Sequence, residues 1–421
     1  MELDEALRLQ NEWWQTGRVG KDLAPPQRRE AFIRLREAVH ERQVTVLTGL
    51  RRVGKTTLFH QLIQDLLQGG TEPKKILYFS FDERLGEPKS CLDEYQRITG
   101  VEWKRERVYV FFDEIQKLPG WGAKLKLLYD LFPNLKFFVS GSSSLELERE
   151  AFSDLVGRHF RIVLEPLSLK EFFELRSGRP ANFQLEREEL FLLFPEYLKR
   201  PFPELVREGS ERRIMEYLRE NVLGKIIYQD LPKKFKGVNE DLLWSLLEIF
   251  YQNPGMILSL DSLSRNLHIA KKTLLQHLLY LQSSYLLRVV KNFRISALVA
   301  SRKLQKIYPY HWSTIFGLYR EIEKGKLLEA VVCSLLGARY YWRKGGQEID
   351  FILRDGETIA VEVKRGLEPN RLPKLLKRLG LKRGLVVHEG RERERRKADG
   401  TEIEFLPVFE LAFDPATVRE V

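Results

Sequence analysis

The sequence predicts an α/β protein built on a parallel sheet, and three observations predict it. Apolar, β-rich runs alternate with helical patterns from Val44 to Leu164, as crossovers between parallel strands require. Several runs are continuously apolar, Val108-Tyr109-Val110-Phe111-Phe112 among them, which fits strands covered on both faces. The first run feeds Gly49-Leu50-Arg51-Arg52-Val53-Gly54-Lys55-Thr56-Thr57 and then an apolar-periodic segment, Leu58 to Leu67. Strand, glycine loop and helix start stand in the order that phosphate binding needs.

Taken in order, residues 1–40 read as short helices anchored by Trp13-Trp14 and broken at Pro25-Pro26. Strands are expected at Val44–Leu47, Ile76–Phe81, Val108–Phe112, Lys136–Val139 and Phe160–Leu164. After Pro166 the pattern is helical to about residue 290, and a smaller strand–helix alternation punctuated by Gly366, Gly380 and Gly384 follows. The expected division is an N-terminal helical segment (1–40), a nucleotide-binding domain (41–175), a helical and winged-helix domain (176–300) and a small α/β domain (301–421). The charge run Arg391 to Lys397 reads as a solvated loop or turn.

Composition bounds the partners. The 421 residues suffice for about three domains, and a hydrophobic fraction of 43% argues against general disorder. No apolar run nears the roughly 18 residues that span a bilayer, and the acidic start Met1-Glu2-Leu3-Asp4-Glu5 is unlike a secretory signal. Cys91 and Cys333 stand far apart without metal-ligand spacing, which points to a reducing, cytoplasmic location. A net charge of +11 favours an anionic partner, nucleic acid first. A solvated surface on a chain 31% charged accounts for it equally.

The glycine loop carries the chemistry. Gly49 and Gly54 let backbone N–H groups turn in around phosphate oxygens, with a helix N-terminus behind them. Lys55 is expected to bridge the β- and γ-phosphates and Thr56 to ligate Mg²⁺. The Val108–Phe112 run delivers Asp113 and Glu114 to the sheet's carboxyl edge, Asp113 for the metal and Glu114 to activate water. Ser142, in Ser140-Gly141-Ser142-Ser143-Ser144, is a candidate γ-phosphate sensor or a plain turn serine, and Arg158 a candidate arginine finger or a surface arginine.

On these motifs residues 10 to about 175 resemble the archaeal ATPase family of AAA-type P-loop proteins. The matching pieces are Asn11-Glu12-Trp13-Trp14, the Gly49–Thr57 loop with Arg51, Arg52 and Thr57, Phe112-Asp113-Glu114-Ile115-Gln116, Ser140-Gly141-Ser142-Ser143 and Pro166-Leu167-Ser168. The resemblance implies ATP binding and hydrolysis on a parallel sheet of five strands. Lys199-Arg200-Pro201 and His311 depart from the family pattern, where many relatives carry a glycine pair and an aspartate.

Two further features follow. From Ser259 to Leu287 the spacing is that of a helix-turn-helix: Leu260, Leu263 and Leu267, a turn at His268-Ile269-Ala270, then Leu274, Leu275, Leu278 and Leu281 facing the core. That leaves Lys271, Lys272, Thr273, Gln276 and His277 outside for DNA, with Leu286 to Arg294 as a basic wing, unless the unit serves packing or assembly. Near the C-terminus, Glu362 and Lys364 share one strand face and Asp350 can meet Glu362 across a hairpin turning at Asp355-Gly356. Glu329 can join from the preceding helix, with Glu348 a substitute. Two carboxylates and a lysine suit metal-dependent phosphodiester hydrolysis, and the set resembles the PD-(D/E)XK nuclease fold over residues 320–410, with Mg²⁺ or Mn²⁺ as its ion. A salt-bridged surface hairpin, or a nuclease-like fold that binds without cutting, fits the same residues. Arg371, Lys374, Lys377 and Arg378 follow on a basic helix. The function expected is ATP binding and hydrolysis with ATP-dependent DNA processing, the C-terminal domain cutting as a metal-dependent nuclease, in a chain with no membrane segment and with homo-oligomer formation open. The alternatives are a nucleotide switch with a docking platform and a signalling ATPase.

Overall fold

The five expected strands of the first half form within one or two residues of their expected bounds: β1 Val44–Thr48, β2 Ile76–Ser80, β3 Val108–Asp113, β4 Leu135–Gly141 and β5 His159–Val163. All neighbours run parallel, in the order β2-β3-β4-β1-β5. The computed structural model describes residues 2–83, 86–142, 154–293, 304–366, 371–398 and 400–418. Ser143, Ser144 and Arg294 lie outside these. The chain forms two units, Met1–Pro166 and Leu167–Val421.

In the first unit, helices α1 Leu3–Gln10, α2 Trp13–Thr16, α3 Ala31–Glu37, α4 Lys55–Gln68, α5 Pro88–Thr99 and α6 Trp121–Leu131 accompany the sheet. β1 and β4 are buried at every position, which explains why their sequences run apolar rather than alternating. Phe79, Phe112, Trp103, Trp121 and Phe137 belong to one core cluster. The edge strand β2 is closed by the N-terminal segment. The Asn11 amide donates to Tyr78 O at 2.8 Å and accepts from Tyr78 N at 2.7 Å. The Trp14 indole donates to Ile76 O at 2.8 Å, and Gln10 Oε1 accepts from Ser80 N at 2.9 Å. Side chains thus answer the backbone groups that an open edge leaves unpaired.

The second unit opens with α7 Leu169–Ser177, α8 Phe183–Lys199 and α9 Glu211–Glu216, then π-helical turns at Tyr217–Gly224 and Ile226–Asp230, α10 Leu231–Lys234 and α11 Glu240–Gln252. Helix α12 Leu260–Asn266 and α13 Lys271–Ser283 meet at a turn where His268 has φ 53°. Strands β6 Met256–Ile257, β7 Leu287–Asn292 and β8 Lys306–Pro309 surround this pair in sequence. The C-terminal part adds α14 Lys324–Leu335, β9 Tyr340–Lys344, β10 Gln347–Asp355, β11 Glu357–Lys364, α15 Leu372–Leu379, β12 Arg383–His388, β13 Glu394–Ala398, β14 Thr401–Pro407 and α16 Val408–Phe413. These strands join one sheet in the order β13-β14-β12-β11-β10-β9-β7-β8-β6. The join is β7 alongside β9, parallel, with Lys291 opposite Tyr340 and Asn292 opposite Tyr341.

One expectation is corrected here. The Arg391–Lys397 run is not a loop throughout, because β13 begins at Glu394 and pairs antiparallel with β14. Arg395 faces Glu404 and Lys397 faces Glu402 across the pair, so the partner strand supplies the charges that let a basic run extend.

Candidate functional site

The glycine loop leaves β1 and enters α4 through backbone that few residues tolerate. Gly49 has φ +148°, and a Cβ there would lie 2.1 Å from the Leu164 carbonyl oxygen. Gly54, at φ +97°, caps the N-terminus of α4, and Arg52 holds φ 68°. Arg29 ties the loop down, donating to Val53 O and Glu165 O, both at 2.8 Å. The Lys55 side chain is buried and folds into the loop, its Nζ 3.1 Å from Gly49 O and 3.0 Å from Leu50 O.

Asp113 closes β3 beside this loop and is 2% exposed. Its Oδ2 accepts from Thr56 Oγ1 at 2.6 Å and from the Tyr78 hydroxyl at 2.9 Å. Its Oδ1 accepts from the Ser140 hydroxyl and from Glu114 N at 3.1 Å. Burial, reinforced by Asp113, pushes the Tyr78 phenol well above its usual range. It therefore stays a donor. Glu114 follows at φ 51°, a left-handed backbone uncommon outside glycine. Its Oε2 accepts from Gln116 Nε2 at 2.5 Å and from Ser142 Oγ at 3.4 Å. Lys55, Thr56, Asp113, Glu114 and Ser142 are thereby gathered at one edge of the sheet. Arg51 and Arg52 are half-buried on the same loop, and Thr57 is half-buried in the first turn of α4. Arg158 is engaged with Asp130 at 2.8 Å.

On α13, Lys271, Lys272 and Gln276 are exposed as expected, whereas Thr273 is half-buried. Two assignments are corrected. Leu275 is 46% exposed rather than in the core, and His277 is 1% exposed rather than outside. His277 accepts from Asn239 N at 2.9 Å and contacts Thr273 O at 2.8 Å, so the ring packs as a polar core group. Lys271 is paired with Asp261.

The C-terminal carboxylates converge in part. Continuing the β10–β11 register, in which Phe351 opposes Val361, sets Asp350 opposite Glu362. Asp350 Oδ2 accepts from Val363 N at 2.8 Å, beside a register shift between Ile349 and Ile352. Such bulges re-aim side chains. Glu362 is 5% exposed, and its Oε2 is ion-paired with Lys364 Nζ at 3.5 Å. Burial raises the Glu362 carboxyl above its usual range, and burial together with Glu329 does the same to Asp350.

Glu329 and Glu348 face a residue that the sequence reading missed. Lys306, from β8, is 6% exposed, with Nζ 2.6 Å from Glu348 Oε1 and 3.2 Å from Glu329 Oε1. The Tyr308 hydroxyl donates to the same Glu329 oxygen. Burial pulls the Lys306 ammonium down, but Glu329, Glu348 and Asp350 outweigh it and hold it above the usual lysine range. Among the described residues, no three or more His, Cys, Asp or Glu side chains are grouped so as to hold a metal ion.

Comparison with known proteins agrees with this geometry in the first unit. Residues 41–173 match the family model described as an AAA domain. The first unit has an AAA-type P-loop fold. Residues 196–311 and 324–410 match two domains of unknown function. Two uncharacterized proteins of Methanocaldococcus jannaschii are 27% and 28% identical, over 74% and 82% of this chain and 72% and 81% of their own. An uncharacterized Haemophilus influenzae protein is 25% identical over 75% of this chain and 80% of its own. A solved structure of the Aeropyrum pernix ORC2 protein in its ADP form aligns over 64% of this chain and 90% of that one, at TM-score 0.35 and 13% identity. A likeness at that level bears on neither function nor partner. No helix among the described residues is long and apolar enough to cross a membrane.

Around the AAA domain's candidate site, sequence reasoning missed Arg29, Tyr78 and the contact of Gln116 with Glu114. Gln116 was legible as the residue two beyond Glu114. Tyr78 and Arg29 carry no local signal, because a distant strand and an N-terminal loop bring them in.

Proposed function

We propose that the chain is an ATP-driven switch whose AAA domain binds and hydrolyses ATP and whose second unit holds DNA without cutting it. The observation that carries the ATPase reading is Thr56 Oγ1 at 2.6 Å from Asp113 Oδ2, with Glu114 next in the chain. The residues fit Mg²⁺, since a hydroxyl and a carboxylate oxygen are hard donors already side by side. An ion held by Thr56 and Asp113 would offset negative charge on the phosphates. Lys55 brings a fixed positive charge to the same oxygens, and the glycine loop, with Arg51, Arg52 and Thr57, lends donors around them. Glu114 takes a proton from the attacking water. Gln116 and Ser142 hold its carboxylate in one orientation, and Ser142 is also placed to sense the terminal phosphate.

The DNA reading rests on charge and exposure. We read the second unit as a helical and winged-helix region and a nuclease-like region that share one sheet. Lys271, Lys272, Thr273 and Gln276 offer one DNA-facing surface, and Arg371, Lys374, Lys377 and Arg378, all exposed, offer another. Cleavage by Asp350, Glu362, Lys364 and Glu329 with Mg²⁺ or Mn²⁺ is not part of the proposal. Lys306 already takes the place among the acids where a cation belongs.

ATP turnover with Mg²⁺, measured with and without duplex DNA, tests the reading. Glu114→Gln should retain nucleotide and lose about 100-fold or more in rate, and Lys55→Ala should lose binding. Lys272→Glu with Lys374→Glu should weaken DNA binding and flatten its salt dependence. Turnover unchanged in Glu114→Gln overturns the ATPase assignment. Equal DNA affinity in the charge-reversed chain overturns the second part.

A further inference from the structure

We infer that Lys306 is the resident cation of the C-terminal carboxylate cluster and closes that cluster to divalent metal. This is independent of the ATPase reading. Lys306 lies on β8, which comes before the C-terminal hairpin in sequence and pairs with β7 and β6. It nevertheless reaches Glu348 at 2.6 Å and Glu329 at 3.2 Å, two carboxylates on different elements, β10 and α14. The surroundings are fitted to an ammonium. The Tyr308 hydroxyl stands 3.5 Å from Nζ, and the Tyr341 ring lies under it at 5.2 Å. Space is closed from the other side, because a Cβ on Gly255 would lie 3.2 Å from Glu329 Oε1 and 2.9 Å from the Tyr308 hydroxyl.

The chemistry explains why a lysine excludes a metal. A divalent ion held by Asp350 and Glu362 would complete its shell with waters or with the neighbouring acids Glu329 and Glu348. Both already pair with Lys306, and Glu348 also with Arg343 at 3.6 Å, so an ion placed there would face the ammonium in a site of low polarity. Expelling Lys306 would strand either a buried cation or its buried carboxylates. The cluster therefore works as a socket that seats β8 through charge.

Mn²⁺ binding followed by electron paramagnetic resonance tests this on the full chain carrying Thr56→Ala, which disables the nucleotide-site metal. That chain should bind no Mn²⁺ that depends on Asp350, so adding Asp350→Asn should change nothing. Adding Lys306→Gln instead should create one ion per chain, abolished by Asp350→Asn, whereas Lys306→Arg should create none. Asp350-dependent Mn²⁺ binding in the chain that retains Lys306 overturns the inference, and needs no Lys306 variant to fold. A folded Lys306→Gln chain that gains no ion overturns it equally.

Discussion

Gly49 is the residue on which the candidate phosphate loop depends most directly. Its φ of +148° and the 2.1 Å that would separate an added Cβ from Leu164 O leave no room for a side chain. Gly49→Ala should destabilise the first unit by roughly 2–4 kcal/mol and abolish binding of an ATP analogue, read by urea unfolding and by titration. Lys136 presents the opposite case, a charge where none is wanted. It is fully buried on β4, donates to Gln43 O at 2.5 Å and Thr45 Oγ1 at 3.0 Å, and burial lowers its pKa to about 7, with Arg107 adding to the drop and Glu41 opposing it. Between about pH 7 and the usual lysine value of 10.5 the unfolded chain keeps a proton that the folded chain releases. Stability contributed by this group therefore rises with pH across that window. Lys136→Met should be more stable than the wild type by about 1 kcal/mol or more at pH 7, with the gap closing towards pH 10, as chemical denaturation at several pH values would report. At this scale the sequence was legible where a motif fixed spacing: Gly49, Lys55, Thr56, Asp113 and Glu114 are gathered as expected. It was illegible where a partner arrives from far along the chain, as Tyr78 does at Asp113 and Lys306 does at Glu348.

Elements were readable wherever burial imposed one period. The five parallel strands lie within a residue or two of expectation because continuous apolar runs have few other uses. Helix α13 was harder to read, because Leu275 continues the apolar spacing yet is 46% exposed, and His277 breaks it yet is buried. A heptad-like leucine row cannot say which of two adjacent leucines faces inward when a histidine finds a backbone donor in Asn239. The β13–β14 pair failed for a related reason, since a charge run becomes a strand only through acids supplied by another strand. The N-terminal segment gives the prediction at this scale. Asn11→Ala removes two hydrogen bonds to Tyr78 and should cost about 1–3 kcal/mol, measured as a lowered midpoint of thermal unfolding.

Across the second unit, one sheet of nine strands runs from the helix-turn-helix region to the C-terminus. A boundary at residue 300 separates β7 from β8, which pair through Val289 and Ile307, and leaves β9 without β7 beside it. Length and glycine punctuation give no hint of this, because the β7–β9 pairing rests on only two residues from each strand. We expect a fragment covering residues 167–421 to unfold in one cooperative transition, and a fragment of residues 320–421, which lacks Lys306 and β7, to remain largely unfolded. Circular dichroism and hydrogen exchange distinguish the two outcomes.

The stopper on β2 limits how copies of this protein could ever meet. Because Asn11, Trp14 and Gln10 already occupy the flank of that strand, no neighbour can extend the sheet there by adding a ribbon of its own. Contacts made on the β2 side must therefore come from side chains, which can loosen and re-form without unpicking the backbone, and growth of that sheet is left to its other edge, β5.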